Sequence, residues 1–503
     1  MKRSLFTPII SFLLLSSAFS QGVLVTKTEL PRMTSTKMSP QVATSSDGYI
    51  LNMGGHTTSF LRSNTCAVIK NDGDTWSYFT LVDYRDNAGL VFLGNDSCLL
   101  VGGMSTSLGV GQLRTTELVF LNNRSSVNGP TMLIPRTWAN GVKLKNGKIL
   151  VAGTWWEDSA AAKPELIDLS NNSSTFTGRL HQARAFPTLV ATNDGNALLF
   201  GGIGVYGGFF YPNVEEYNTS TNSFTLLRNT LFENDTTYYS VAGDMGDDFQ
   251  HRTLPNGKMI FLAREIATQA TSHHQPASKI FTVDPETKAF EVWAEPLPAI
   301  DTASGNPYYY FAPMINSRLG NTVIIPRIWY NQDGITQLGF VYKDPNSTGG
   351  FIECSGCITV NYYLWGASRT LYNPGGNKHG VIFTGGSISD NFDAVDSAFV
   401  AVFDHVTGVV ERMDLPNEFT LKQNYPNPFN PNTVIRFELP TAGFAKGVVY
   451  DVLGREVATL INGETEAGEH QLNFNAAGLP SGVYIFRLES GGYTSSVKMV
   501  LNK

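Results

Sequence analysis

Charged residues are scarce in this chain, and no block of a single sign occurs. Only 16% of the 503 residues are charged, and the formal net charge is -7. A cluster of lysine and arginine is the electrostatic footprint of nucleic-acid or anionic-membrane binding, so the sequence predicts neither of these partners. After the N-terminus no apolar run reaches the ~18 residues that a membrane-spanning helix needs, and the sequence predicts no transmembrane segment in the mature chain.

Cysteine is also scarce: the chain has four, at Cys66, Cys98, Cys354 and Cys357. The last two have CxxC spacing, but a structural zinc site needs a second such pair or nearby histidines, and neither is present. The sequence therefore predicts no metal and no cofactor. For Cys354 and Cys357 a local disulfide is the favoured interpretation outside the cytoplasm, with free thiols, and metal or redox chemistry, as alternatives. Pairing of Cys66 with Cys98 stays open.

Glycine and aromatic residues, in contrast, are abundant. The chain has 48 glycines and 12% aromatic residues, which favours short strands and tight turns and predicts an all-β protein. At the N-terminus, Lys2 and Arg3 precede a short apolar run, and Ala18-Phe19-Ser20 forms a small-x-small site. This pattern predicts that residues 1–20 are a secretory signal peptide, cleaved before Gln21.

A repeat of near 50 residues organises the middle of the chain. Apolar runs that end in small residues recur as YILNMGG at 49–55, CLLVGG at 98–103, KILVAG at 148–153, ALLFGG at 197–202 and VIFTGG at 381–386. Two weaker copies are GKMIFLA at 257–263 and NTVIIPR at 321–327. Each copy is followed by turn-forming residues and further strands, as in a four-stranded propeller blade, and the copies predict seven blades.

Through its glycine pairs, the Glu or aromatic residue of the next strand and the closing Trp or Phe, this region resembles the kelch family of β-propellers over residues 35–413. The resemblance implies a seven-bladed kelch-like β-propeller, which we assign to residues 21–415. It implies no activity, because kelch propellers include both enzymes and binding modules. A propeller closes when its last blade packs on its first, and we expect residues 23–29 to supply the closing strand, with residues 409–413 as the alternative.

Cations recur at one position of the repeat. Arg136, Arg184 and Arg369 each stand eleven residues before a glycine expected in a turn, and Lys37 and Arg85 occupy the equivalent place. In a four-stranded blade this position falls near the start of the innermost strand, so the pattern predicts five cations around one mouth of the channel. Acids also recur in the repeat, at Glu117, Glu165 and Glu215. The favoured interpretation is that the cations pair with these acids and tie blades together, and the alternative is an anion-binding ring.

Aromatic residues crowd the loops that we expect on the same face, at Trp138, Trp155, Trp156, Tyr309, Trp329 and Tyr330. Flat rings among scattered Asp and Asn are typical of sites that hold a sugar or a peptide. With Arg136, Arg184 and Arg369, the residues Trp155, Trp156, Trp329, Tyr330 and Tyr309 are the predicted ligand-binding set. For any single aromatic residue, packing within the propeller is the favoured interpretation.

The sequence predicts no catalytic residue, and it favours a non-catalytic module that binds a glycan or a surface protein. The alternative is a carbohydrate-active enzyme on a kelch propeller. A copper radical oxidase of this kind would need a Tyr-His dyad, and none of the eight histidines follows a tyrosine. A two-carboxylate hydrolase would need acids facing each other across the channel mouth, whereas the repeat acids are expected in the scaffold.

A different all-β pattern begins with QNYPNPFNPNTVIRFELP at 423–440. Alternating strands between Gly and Pro turns predict a small β-sandwich over residues 424–503, with residues 416–423 as a linker. Because proline restricts its neighbours to extended conformations, we expect the proline-rich stretch to be a semi-rigid spacer.

This segment resembles the type A C-terminal sorting domain of type IX secretion substrates. The matching residues are Asn424, Pro426, Pro428, Phe429, Tyr450, Asp451, Gly454, Arg455, Gly482 and Tyr484. The resemblance implies that the type IX translocon recognises residues 424–503 in a Gram-negative, Bacteroidetes-like host. It implies transit through the periplasm and a final location in the medium or on the outer cell surface.

Overall fold

The structure is a computed structural model that describes most of the chain. It covers residues 17–18, 23–57, 61–70, 75–94, 96–105, 111–155, 158–204, 210–233, 238–241, 251–265, 277–293, 297, 308–310, 313–316, 322–330, 336–343, 351–360, 364, 367–373, 379–387, 394–405, 420–439, 443–465, 468–490 and 493–503. Among these residues no helix is long and apolar enough to cross a membrane. The chain divides into two compact units, Met1–Thr407 and Gly408–Lys503.

The first unit begins with β1 (Ser17–Ala18) and β2 (Val23–Glu29), and its described residues form seven sheets. Sheet 1 consists of β3 (Gln41–Thr44), β4 (Tyr49–Met53), β5 (Thr65–Lys70) and β6 (Trp76–Thr80). Sheet 2 consists of β7 (Gly89–Gly94), β8 (Ser97–Val101), β9 (Thr116–Phe120) and β10 (Ser125–Asn128). Sheet 3 consists of β11 (Asn140–Lys143), β12 (Ile149–Ala152), β13 (Glu165–Asp168) and β14 (Ser173–Phe176), with the helix α1 (Asp158–Ala161) between its middle strands.

The remaining sheets of this unit follow in chain order. Sheet 4 consists of β15 (Thr188–Ala191), β16 (Ala197–Phe200), β17 (Val214–Asn218) and β18 (Ser223–Arg228). Sheet 5 consists of β19 (Tyr239–Val241), β20 (Met259–Glu265), β21 (Ala277–Val283) and β22 (Phe290–Val292). Sheet 6 contains β23 (Tyr308–Tyr310), β24 (Met314–Asn316), β25 (Thr322–Tyr330), β26 (Thr336–Lys343) and β27 (Ile352–Val360). Sheet 7 contains β28 (Ser368–Tyr372), β29 (His379–Thr384) and β30 (Ala398–His405), extended by β2 and β1.

The sheets are antiparallel and follow one another in a propeller-like arrangement. Their first strands are neighbours, with β7 beside β11, β11 beside β15 and β28 beside β3. Apolar clusters fill the space between successive sheets, for example Leu51 with Val119, Val91 with Val151, Leu150 with Leu199, Phe200 with Phe261, Ile260 with Ile325, Phe340 with Phe383, and Ile382 with Ile50. The last pair joins sheet 7 to sheet 1, so the succession of interfaces closes on itself.

The N-terminal strand completes sheet 7. β2 pairs with β30 over its whole length, from Val23 opposite His405 to Glu29 opposite Phe399. Val25 is fully buried and packs in the cluster that contains Phe340 and Phe383. The prediction that residues 23–29 close the last sheet is confirmed, and the alternative segment, residues 409–413, lies outside the described residues.

The second unit contains two sheets of a sandwich. Its strands are β31 (Thr420–Leu421), β32 (Asn432–Leu439), β33 (Gly443–Asp451), β34 (Glu456–Thr465), β35 (Gly468–Asn475), β36 (Gly482–Ser490) and β37 (Tyr493–Leu501). The sheets have the orders β31-β32-β35 and β34-β33-β36-β37, and Phe437, Val449 and Phe486 pack between them. β31 falls inside the stretch predicted as a linker, so the described end of that stretch belongs to the sandwich.

The proline-rich stretch is part of the sandwich, and the prediction of a spacer is wrong for it. The Phe429 N–H donates to the Val500 carbonyl (2.9 Å), and the Asn502 N–H donates to the Phe429 carbonyl (3.0 Å). The side chain of Asn427 donates to the Lys498 carbonyl (3.0 Å) and accepts from the Val500 N–H (2.8 Å). Phe429 is buried in the core. The stretch therefore lies along the C-terminal strand instead of separating two domains.

Replacing Val25 by alanine tests the closing strand. Because Val25 is fully buried in the interface between sheets 6 and 7, Val25→Ala should lower the free energy of unfolding by about 2 kcal/mol. Glu29→Ala is the matched control, since the Glu29 side chain on the same strand is 61% exposed. Urea denaturation of the mature chain measures both, and equal stability of Val25→Ala and wild type would contradict the docking of β2.

Candidate functional site

Four buried cations hold the same place in successive sheets. Lys37, Arg85, Arg136 and Arg184 each stand seventeen residues before a glycine that follows the second strand of the sheet. Each side chain donates to the carbonyl of that glycine: Lys37 Nζ to Gly54 (2.8 Å), Arg85 Nη1 to Gly102 (2.9 Å), Arg136 Nη1 to Gly153 (3.1 Å) and Arg184 Nη1 to Gly201 (2.9 Å). The cation thus fastens the loop that precedes each sheet to the end of that sheet's second strand.

The backbone carbonyl of each cation binds the sheet before it. These carbonyls accept from Gly386 N (to Lys37, 3.1 Å), Gly55 N (to Arg85, 2.9 Å), Gly103 N (to Arg136, 2.7 Å) and Thr154 N (to Arg184, 3.2 Å). The approach is close: a Cβ on Gly102 would lie 2.2 Å from the Arg136 carbonyl oxygen, so only glycine fits there. Every cation therefore joins two neighbouring sheets, and Lys37 joins the last to the first.

Three of these cations form buried ion pairs with the repeat acids. The distances are 3.1 Å for Arg85–Glu117, 2.8 Å for Arg136–Glu165 and 2.8 Å for Arg184–Glu215. The same carboxylates accept backbone N–H groups of the loop between sheets, at Val82 (2.6 Å), Leu133 (2.6 Å) and His181 (2.8 Å). Burial lowers the pKa of the Arg136 guanidinium, and the charge of Glu165 opposes that shift. The predicted pairing with repeat acids is confirmed for these three arginines.

Lys37 lacks an acidic partner in the equivalent position. In sheets 2 to 4, the residue two positions before the glycine that binds the cation lies opposite an acid on the third strand. In sheet 1 the equivalent residue is Asn52, and it lies opposite Ala67. The ammonium of Lys37 donates instead to three neutral oxygens, Gly54 O (2.8 Å), Ser63 Oγ (2.9 Å) and Thr65 O (2.6 Å). Burial lowers the pKa of Lys37 to about 8.

Arg369 does not share this position, and the register predicted for it is wrong. Arg369 lies inside β28 opposite Phe383, and Gly380 pairs with Tyr372 within the ladder instead of forming a turn. In sheet 4, Arg184 stands four residues before Thr188, which lies opposite the last residue of the second strand. In sheet 7 the residue opposite the last residue of the second strand is Ser368, and the residue four positions before it is Leu364. Arg369 is buried, but its spacing to a glycine is coincidental.

We call each buried cation, with the backbone groups and the acid that it binds, a clamp. A cluster of three aromatic rings lies beside the loops that carry these cations. Trp138 and Phe186 each follow a clamp cation by two residues, and both adopt a left-handed backbone with φ of 54°. Their rings stack with centroids 5.2 Å apart, and Trp155 meets Trp138 edge-on at 4.6 Å and Phe186 at 6.2 Å. All three side chains are half-buried. We refer to Trp138, Trp155 and Phe186 as the aromatic cluster.

Main-chain hydrogen bonds hold the cluster in place. The Trp138 N–H donates to the Asn87 carbonyl (3.0 Å), and the Phe186 N–H donates to the Trp138 carbonyl (2.9 Å). The equivalent residues of the first two sheets also have left-handed backbones: φ is 51° at Asn87, two residues after Arg85, and 52° at Ser39, two residues after Lys37. A left-handed backbone is costly for a non-glycine residue, so its recurrence indicates a position that the surrounding contacts dictate.

The structure places the other predicted ligand-binding residues as follows. Trp155 lies in the aromatic cluster, and Trp156 lies outside the described residues. Tyr309 lies on β23, and Trp329 and Tyr330 lie on the neighbouring β25, whose side chains there are not described. The sequence analysis did not select Phe186. It stands two residues after Arg184, as Trp138 stands two residues after Arg136, and this shared spacing would have identified it.

Two histidines, His56 and His181, contact carboxylates that already pair with arginine. His56 Nδ1 lies 3.1 Å from Asp86, whose other oxygen is 3.0 Å from Arg62 Nε. His181 Nδ1 lies 3.1 Å from Glu215, the partner of Arg184. These geometries favour a structural role for both. Cys66 and Cys98 are buried, are not disulfide-bonded, and have thiol pKa values that burial raises. Within the described part of the chain, no group of three His, Cys, Asp or Glu could hold a metal.

In the second unit the predicted sorting residues divide by exposure. Asn424, Phe429 and Tyr484 are buried, and the Asn424 amide donates to Pro426 O (3.1 Å) and Thr433 Oγ1 (2.9 Å). The bonds from Tyr425 to Pro426 and from Asn427 to Pro428 are cis. Asp451, Gly454 and Arg455 form the exposed turn between β33 and β34, and Tyr450 and Gly482 lie on strands of the same sheet.

Removing one acid tests the clamp. Glu165→Ala leaves the fully buried Arg136 without its carboxylate, and it should lower the free energy of unfolding by about 3–5 kcal/mol. The control is Asp168→Ala on the same strand, which breaks the surface pair with Lys148 (3.7 Å) and the hydrogen bonds that Ser170 donates to Asp168, and it should cost far less. Urea denaturation of the mature chain measures the two losses, and similar small losses would show that the clamp does not hold the sheets.

The pH dependence of stability tests the burial of Lys37. Its pKa is about 8 in the folded chain against 10.5 for a free lysine, so between these values the unfolded chain binds more protons and stability rises with pH. Lys37→Met should remove this rise, whereas Lys145→Met at an exposed position should keep it. The measurement is the free energy of unfolding at several pH values from about 7 to 10, and parallel profiles for wild type and Lys37→Met would contradict it.

Comparisons with known proteins identify the C-terminal segment and the type of fold. A search of curated protein sequences finds no match. Among solved structures, one described as "Novel fungal alcohol oxidase with catalytic diversity among the AA5 family, in complex with copper" matches with a TM-score of 0.50 and 12% identity, over 95% of this chain and 98% of that chain. At this identity the likeness concerns the fold alone. Residues 423–502 match the family model described as "Secretion system C-terminal sorting domain", so the chain carries a type IX sorting domain at its C-terminus, which implies export, contact with the secretion machinery and a cell-surface or secreted location.

Proposed function

We propose that this chain is an exported kelch-type propeller of seven blades that binds a neutral glycan without catalysing a reaction. In this proposal residues 1–20 are removed as a signal peptide, residues 21–415 form the propeller, and the sorting domain directs the mature chain across the outer membrane. Its host is a Gram-negative, Bacteroidetes-like bacterium, and the protein acts on the outer cell surface or in the medium.

The observation that carries the proposal is the aromatic cluster. Its three rings are half-buried on a scaffold fixed by main-chain hydrogen bonds, so they present flat apolar surface at little cost in conformational entropy. Rings arranged in this way suit the apolar face of a sugar. Trp156, Tyr309, Trp329 and Tyr330 would extend the binding surface around the same mouth of the propeller.

The electrostatics near the cluster favour a neutral ligand. Arg136 and Arg184 precede Trp138 and Phe186, but both guanidinium groups are fully buried and paired with carboxylates. A charge neutralised in this way attracts an anion weakly. We therefore assign Arg136 and Arg184 to positioning the aromatic loops instead of to contact with an acidic polysaccharide.

A protein ligand and an enzymatic role are the competing proposals. The matched oxidase supports the second only through its fold, since its copper and its oxidase activity are properties of that protein. Assaying the purified chain, with and without added copper, for oxidation of sugars and simple alcohols tests it. If the propeller oxidises one of these substrates and Trp155→Ala does so equally well, an enzymatic role replaces the binding proposal.

Replacing Trp155 tests the glycan site. On a glycan array probed with the mature chain, Trp155→Ala should weaken binding of a retained neutral sugar by about 1–3 kcal/mol, the range for an aromatic anchor. Phe176→Ala is the control, because Phe176 is an exposed ring on β14 of the same sheet, away from the cluster. Binding should change little with salt, since ring contacts are not screened.

The outcomes separate the alternatives. If no sugar is retained, or if Trp155→Ala and Phe176→Ala behave alike, the glycan proposal is wrong. Binding that falls steeply as salt rises would indicate an anionic ligand and would return Arg136 and Arg184 to the ligand-binding set.

A further inference from the structure

The turn between β33 and β34 exposes two apolar side chains at the end of the sorting domain. Val452 and Leu453 are 69% and 74% exposed. Turns of this kind favour polar residues and glycine, which satisfy local hydrogen bonds and tolerate unusual backbone angles. Neither side chain is needed to form the turn, so their apolar character requires another explanation.

The turn itself is rigid. Asp451 Oδ1 accepts the N–H groups of Leu453 (2.9 Å) and Arg455 (3.0 Å), and Asp451 Oδ2 accepts from Arg455 Nε (2.7 Å). Gly454 supplies the left-handed residue, with φ of 76°. We call residues 451–455 the tip. Because the tip is fixed before any partner arrives, its two apolar side chains can bind without a further loss of backbone entropy.

A row of three residues on the sheet that contains β33 continues this surface, with half-buried Tyr450 beside the exposed Ile485 and Lys498. Tyr450, immediately before the tip, lies opposite Ile485 on β36, and Ile485 lies opposite Lys498 on β37. Directly opposed residues share one face of a sheet. Val449 and Phe486, the next residues along, are buried in the core, so Tyr450, Ile485 and Lys498 belong to the outer face. Ile485 is 40% exposed and Lys498 is exposed. We call these three residues the outer row.

The exposed and buried residues of the sorting segment differ in whether a partner protein can contact them. Asn424, Phe429 and Tyr484 are at most 4% exposed, so a partner cannot contact them in the folded domain. The tip and the outer row offer apolar side chains that continue across a single surface, and Tyr425 and Phe444 are further exposed apolar residues among those described in this unit. A sorting domain is recognised by the secretion machinery, and recognition of the folded domain must use groups that a partner can reach.

We propose that the tip and the outer row are the surface through which a protein of the secretion machinery holds this chain. Val452 and Leu453 enter an apolar recess of that protein, and Lys498 faces acidic side chains at the edge of the recess. The surface is small: eight residues compare with roughly 20–30 on each side of a standard interface. Such a size fits transient recognition of cargo that must be released, and it is too small for a stable dimer of this chain.

Polar replacement of the tip tests the proposal in a type IX secretion host that expresses the full chain. In the double variant Val452→Ser with Leu453→Ser, the exported amount should fall about tenfold or more, the effect of losing two anchors, and the chain should accumulate in the periplasm. The matched control is Phe444→Ser, because Phe444 is 54% exposed on the same strand β33 but lies at the opposite end from the tip. It should be exported like wild type.

Folding is measured on the same variants. The thermal unfolding of the purified double variant should match that of wild type, which separates lost recognition from lost structure. If the double variant unfolds at a lower temperature, Leu453→Gln alone decides, because it keeps the β-branched Val452 and changes only the more exposed of the two apolar side chains.

Three results would overturn the proposal. The first is normal export of the folded tip variant, and the second is an equal export defect in Phe444→Ser. The third is concentration-dependent self-association of wild type, by light scattering, that the tip variant loses, which would make a second copy of this chain the occupant of the surface. None of these results bears on glycan binding by the propeller, which the array measures separately.

Discussion

The buried cations that join sheet 7 to sheet 1, and sheets 1 to 4 to one another, are the interactions on which the arrangement of these sheets depends. Apolar clusters hold neighbouring sheets together but specify their relative position weakly, because dispersion and hydrophobic contacts are not directional. The clamp adds direction. Arg136 binds sheet 2 through its carbonyl and sheet 3 through its guanidinium, and Glu165 fixes the intervening loop. A buried ion pair of this kind adds little net stability and much geometric specificity, which is what a succession of similar sheets requires.

The aromatic cluster is a consequence of the clamp. Two residues after Arg136 and Arg184 the backbone must turn back to begin the first strand of the next sheet, and it does so through left-handed positions. Trp138 and Phe186 occupy those positions, so the same bonds that join the sheets also set the spacing between the rings. The clamp also consumes the positive charge of the face. If a ligand at the aromatic rings also required a free arginine, that arginine would have to be one other than the paired Arg136 and Arg184.

The sequence predicted the repeated architecture better than the details of the site. The glycine pairs, the strand at residues 23–29 and the sorting segment were visible because each depends on local residue type and spacing. The position of Arg369 was predicted wrongly, because a spacing to glycine does not reveal whether that glycine forms a turn or pairs in a ladder. The proline-rich stretch was predicted wrongly for a related reason: its partners are Lys498, Val500 and Asn502, more than 70 residues away in the chain, and proline content carries no information about them.

That long-range pairing gives the sorting domain a further property. Asn427 and Phe429 bind the last strand, and the last strand carries Lys498 of the outer row beside Ile485. The proline-rich stretch therefore supports the exposed surface directly, because Gln423 and Asn427 both donate to the carbonyl of Lys498 in the outer row. Residues that look like a continuous signal in sequence act in two ways, since the buried ones hold β37 in register and the exposed ones remain available to a partner. A slip of β37 by one residue would move Lys498 to the opposite face of the sheet, so loss of either the proline-rich stretch or the last strand would disrupt the outer row.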